Sequence, residues 1–151
     1  MDLLVERTAA EILGSHRIMA LSTIRPDGWP QTTLVGYAND GATLYFVVYR
    51  ASQKFRNIAA EPRVSLAIGE EPRDMHVAQA VYAGAIAGEI TDPDEQRRAW
   101  DLIGRRHTNL ASASLPDPAE TAIMQAKCRH LSVVDYTRGL GHTDAVTLGE
   151  D

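Results

Sequence analysis

The sequence predicts a mainly β chain of the α+β class, with six antiparallel strands closed into a small barrel and helices at its periphery. Three observations carry this. Short runs rich in Val, Ile, Thr and Tyr recur between Asp-Gly and Pro turn signals, as hairpins require. One helical segment joins the third strand to the fourth, and a helical excursion separates the fifth from the sixth. The regular strand–helix alternation of a doubly wound parallel sheet is absent.

The elements follow in order. Leu3, Leu4, Ala9, Ile12 and Leu13 mark an amphipathic opening helix that ends near Gly14. In HRIMALSTI, Ile18, Ala20, Ser22 and Ile24 share one face of a first strand, and Met19, Leu21 and Thr23 share the other. RPDGWP is a turn, and QTTLVGYA a second strand. Asp40-Gly41 signals a hairpin into the third strand, TLYFVVY, whose two apolar faces predict a central place in the sheet. A short helix then stops at Pro62 and gives way to the fourth strand, RVSLAIG. After the polar loop EEPRDMH comes a long fifth strand, AQAVYAGAIAGEIT, whose glycines point to a bulge or a barrel bend. Asp92 caps the next helix with Pro93 at its first position. A short helix is expected around PAETAIMQA, then a sixth strand, CRHLSVVDYT, and a tail of turns with a weak apolar end.

Composition narrows the function. The 151 residues suit one domain spanning 1–151, with no repeat, linker or low-complexity tract to divide it. A net charge of −5 argues against nucleic acid as the main partner. No apolar run approaches the roughly 20 residues that span a bilayer, and the N-terminus lacks a signal-peptide hydrophobic region. The single cysteine, Cys128, cannot form an intrachain disulfide, so a reducing cytoplasm is the expected setting.

The most informative stretch runs from Leu44 to Ile68. A strand ends in a turn carrying Arg50, Ser52, Lys54 and Arg56, and a helix begins there with Ser52 as its expected cap. Unpaired backbone amides and the helix dipole favour an anion at such a start. The alternative is an ordinary capped helix with solvated basic residues. Cations are disfavoured in a first helical turn, and a bound phosphate would compensate them.

Other motifs carry less. Gly139-Leu140-Gly141-His142 lacks the third glycine and the strand–turn–helix setting of a dinucleotide fingerprint, and reads as a turn. Cys128, His130 and His142 have no ligand spacing that would define a metal site. No nucleophile elbow is present, Trp29 and Trp100 read as apolar anchors, and His16, His76 and His107 fall at element ends or loops, where solvated roles are commonest.

The ordered set Ala-Leu-Ser-Thr, Asp-Gly-x-Pro, Thr-Leu-Tyr-Phe, Ser-x-Lys-x-x-Asn-Ile and Glu-Pro-Arg-Val-Ser-Leu resembles the pyridoxamine phosphate oxidase-like, FMN-binding split-barrel family. The resemblance runs from Ile18 to Ile90, and the ending SVVDYTRGLGHTDAV is similar to the tail of other members. It implies a split barrel that forms a homodimer with FMN at the interface. Lys54 matches the phosphate-binding lysine and Ser52 the serine of the same turn. Gln53 stands where the oxidase proper has a second basic residue, and Thr33 where it has an arginine. Leu34 and Val35 match positions beside the flavin ring, and Val47 and Val48 match positions that contact it. Arg50 is not a motif position, but it is placed to replace the missing charge. The oxidase's substrate-recognising C-terminal pattern is not evident, and Arg138 and His142 are the residues of the tail that could orient an anionic substrate. The resemblance therefore implies an FMN-dependent oxidoreductase of a small molecule, with hydride transfer through flavin N5, rather than pyridoxamine phosphate oxidation. A deazaflavin coenzyme or haem on the same barrel, and a non-enzymatic flavin-binding module, are the alternatives.

Overall fold

The structure, a computed structural model, describes residues 3–109 and 116–149. Helix α1 (Leu3–Gly14) precedes strands β1 (Ile18–Ile24), β2 (Pro30–Gly36), β3 (Ala38–Asp40) and β4 (Thr43–Tyr49). Helix α2 (Gln53–Ala60) leads to β5 (Arg63–Gly69) and β6 (Gln79–Glu89), and α3 (Pro93–Arg106) to β7 (Thr121–Asp135) and β8 (Thr143–Thr147).

The described strands form one antiparallel sheet in the order β2-β1-β5-β6-β7-β4-β3, with β8 paired to β7. The sheet curls until β2 packs against β4, but no hydrogen-bonded ladder joins them. The barrel is split at that seam. Inside it, Leu13, Met19, Leu21, Tyr37, Phe46, Leu66, Val81 and Val133 form a core that α1 closes. The register of β6 on β7 shifts between Gly84 and Ala85, the bulge that the glycine-rich sequence of β6 anticipates.

Three expectations are corrected. Eight strands are described rather than six, because β3 and β8 are short pieces that lack a clear alternating pattern. The helix expected around PAETAIMQA is a turn followed by the start of β7. Ala, Glu, Met and Gln favour helix weakly, and pairing of Thr121–Lys127 with β4 overrides that preference while burying Ala122, Ile123, Met124 and Ala126. β4 is not central, for it lies one strand from the edge of the order. Its two apolar faces have separate partners. Leu44, Phe46 and Val48 enter the barrel core, whereas Tyr45 and Val47 join Ile90, Ala99, Ile103 and Ile123 in a second cluster under α3.

Away from α3 the outer face of the sheet has no such cover among the described residues. Register places Leu34, Ala20, Ala67, Tyr82 and Ser132 in one row across five strands. Leu34 is 76% exposed, and Ile18, Tyr82 and Ile86 on the same face are also exposed. Cys128 lies inside, where burial pushes its thiol up to about 11 despite the neighbouring Arg129.

Candidate functional site

The start of α2 is built as its sequence predicts. Ser52 has extended backbone angles, and its Oγ accepts from the Phe55 amide while donating to the Tyr49 carbonyl at 2.6 Å. The amides of Gln53 and Lys54 donate to no described residue. The helix is held in place from within: the Asn57 side chain, fully buried, donates to Thr23 Oγ1 at 3.0 Å and to Gln31 Oε1 at 3.3 Å. It accepts from Gln53 Nε2 at 2.7 Å. Asn57 thus ties the first turn of α2 to β1 and β2.

The basic groups of this turn divide sharply. Arg50 makes a two-pronged ion pair with Glu89, both bonds 2.8 Å, and its Nε donates to the Pro118 carbonyl at 2.7 Å. The guanidinium also lies over the Phe55 ring, 5.5 Å from its centre. Arg56 donates to the Ala51 carbonyl and to Gln53 Oε1. Lys54 has no hydrogen-bond or ion-pair partner among the described residues, and partial burial lowers its pKa below the usual lysine value. A half-buried ammonium without a counter-charge, next to two free amides, fits an anion. On β2, Thr33 Oγ1 is likewise buried without a partner, two residues along the same face from Gln31.

Beside the split lies a cavity of about 350 Å³. Val47, Val48 and Tyr49 of β4 form one wall with Gly36 at the end of β2; Trp100, Ile103 and His107 form the other. His107 Nε2 donates to the Tyr37 carbonyl at 2.8 Å, since a carbonyl can only accept. The ring lies so close to β2 that a Cβ on Gly36 would sit 3.1 Å from its Cε1. A Cβ there would push the ring back by a few tenths of an ångström.

The structure therefore brings Val47 and Val48 to the cavity, and Ser52, Gln53 and Lys54 to the helix start. Thr33 and Val35 face inward, while Leu34 points outward from the opposite face of β2. Arg138 and His142 are elsewhere, flanking the turn before β8, where both bond to Asp144. The α3 wall escaped sequence reading. Its signal is the spacing of Trp100, Ile103 and His107, three and then four residues apart and so on one helical face. Among the described residues no group of three or more His, Cys, Asp or Glu side chains is placed to hold a metal ion, and no helix is long and apolar enough to cross a membrane.

A sequence-family model described as pyridoxamine 5′-phosphate oxidase matches residues 5–135. The chain belongs to that family. No curated protein matches it by sequence. Among solved structures it is similar to a haem-binding protein from Mycobacterium smegmatis at 20% identity and a TM-score of 0.74, over 97% of this chain and 59% of that protein. It is similar to an F420 reductase at 26% identity and a TM-score of 0.64, over 81% of this chain and 94% of the other. HutZ, a haem storage protein from Vibrio cholerae, aligns at 13% identity with a TM-score of 0.69, over 83% of this chain and 90% of that one. The split-barrel fold is common to these structures. The cofactors named among the structures differ.

Proposed function

We propose that this member of the family binds FMN and acts as an FMN-dependent oxidoreductase on a small molecule, working as a homodimer. The observation that carries the reading is Lys54, an ammonium left unpaired and half-buried beside the free amides of Gln53 and Lys54. In this reading the phosphate of the cofactor sits at the start of α2, with Ser52 shaping the turn and Lys54 supplying charge. Arg50, committed to Glu89 and Pro118, braces the turn, and its guanidinium reaches an anion only in competition with that carboxylate. Thr33 offers a free hydroxyl from β2, and Val47 and Val48 line the cavity on the ring side. When bound, FMN would supply hydride transfer at its N5, and the chain's part is to hold, orient and shield it. The exposed row through Leu34 and Tyr82 is the surface a second copy would cover.

A deazaflavin coenzyme is the second reading. It shares a ring and a phosphate with FMN, and an F420 reductase is among the similar structures. Haem draws less support from the site, because the histidine lining the cavity already commits Nε2 to Tyr37.

Titration of the purified protein with FMN, the deazaflavin coenzyme F420 and haemin, followed by absorbance, tests these readings together. Saturable FMN binding is expected, weakened about tenfold or more in Lys54→Ala, since a charge-assisted bond contributes roughly 1.5–3 kcal/mol. Failure of FMN to bind, or an unchanged dissociation constant in the variant, overturns the FMN reading.

A further inference from the structure

The cavity between β4 and α3 has a chemistry unlike that of the Lys54 turn. Val47, Val48, Trp100 and Ile103 give it apolar and aromatic walls, and no side chain with an unpaired charge lines it among the described residues. The nearest ion pair, Arg50 with Glu89, lies in an adjoining small pocket that shares Pro116 and Thr121 with the cavity, and its charges cancel. One polar group is oriented. With Nε2 donating to the Tyr37 carbonyl, Nδ1 is the ring nitrogen left to accept, and it has no partner among the described residues. A pocket of this make-up excludes phosphate and carboxylate, which would be desolvated there without a counter-charge. It favours a flat apolar body with one N–H or O–H to donate.

From this we infer that the α3 side of the cavity, across from the Val47–Val48 wall that the flavin ring would face, is the substrate site, and that it takes an uncharged, planar aromatic molecule carrying a hydroxyl or N–H donor that His107 Nδ1 accepts. In this site Trp100 would pack against the ligand's ring, and Gly36, having no side chain, leaves His107 its close approach to β2. The inference deepens the flavin reading and rests on it for the reaction, but not for binding. It also separates this chain from chemistry on a phosphorylated substrate.

The test is calorimetric titration of the FMN-saturated protein with 1-naphthol and with 1-naphthyl phosphate. Binding of 1-naphthol is expected, with the phosphate ester at least tenfold weaker. His107→Phe should weaken 1-naphthol about three- to tenfold, the size of one lost hydrogen bond. Should that variant fail to fold, as judged by circular dichroism, Trp100→Ala removes the aromatic wall on α3 instead and should weaken binding by at least as much. Equal or tighter binding of the ester overturns the inference. So does the absence of 1-naphthol binding, its loss when FMN is added, or indifference to these substitutions. Failure of the cofactor reading is distinguishable: FMN then does not bind, while 1-naphthol still binds the FMN-free protein and still responds to His107→Phe.

Discussion

Arg50 and Lys54 stand four residues apart on one basic turn, and their surroundings give them opposite roles. Arg50 is neutralised by Glu89, and hydrogen bonding from that guanidinium holds the Glu89 carboxyl below its usual range against the effect of partial burial. A carboxylate depressed in the folded state stabilises the fold above the unfolded glutamate value of about 4.3, and that contribution is lost as pH falls through the folded value. Glu89→Gln should therefore cost about 1 kcal/mol at neutral pH, a figure restrained because the pair is part exposed, and should flatten the acid limb of a stability–pH curve. Urea unfolding across pH 3 to 7 measures both. Lys54 runs the other way. Burial disfavours its charge, and a bound phosphate would restore it, so anion binding should take up protons and weaken as pH rises through the pKa of the bound lysine. FMN titrations at rising alkaline pH, with Lys54→Ala as the flat reference, check the direction. The basic character of the turn was readable from Arg50, Lys54 and Arg56. Which cation is free was not, because Glu89 lies 39 residues beyond Arg50 in the chain.

Among the elements, α2 depends most on a single side chain. It has only eight residues, too few for a helix to persist on propensity alone, and Asn57 ties it to Thr23 and Gln31. Asn57→Ala would leave Gln31 and Gln53 without that partner beside a buried site, and should cost about 2–3 kcal/mol. It should also weaken FMN binding without touching the ligand, whereas Asp92→Ala, at the cap of α3, should cost about 1 kcal/mol and spare the Lys54 turn. Denaturant midpoints and FMN affinity for both variants separate the two effects. Helices α2 and α3 were legible because their caps, Ser52 and Asp92, are local signals. The first half of β7 was not, since Ala122, Met124 and Ala126 take strand geometry from β4, a partner about eighty residues earlier in the chain.

At the scale of the whole molecule, the uncovered sheet face and the topology set the remaining expectations. Leu34→Asp places a charge in the middle of the exposed apolar row, and since Leu34 points outward the fold should tolerate it. Light scattering coupled to size exclusion should show a dimer for the parent chain and a monomer for the variant; a parent chain that runs as a monomer removes the homodimer proposal. The split barrel was legible through ordered motifs from Ile18 onward. The α3 wall of the cavity was not, because Trp100 and His107 come from an excursion whose docking no local pattern records. The strand order carries one more consequence, for synthesis. β4 spans Thr43–Tyr49, yet the strand it pairs with along its whole length begins only at Thr121. A ribosome must therefore deliver most of the chain before β4 is zipped in, and until then an apolar strand, paired only with the short β3, waits with its other edge open to chance partners. Folding is expected to be slow for a chain of this size, and expression should respond to growth temperature and to chaperone supply more than the finished protein's stability would indicate.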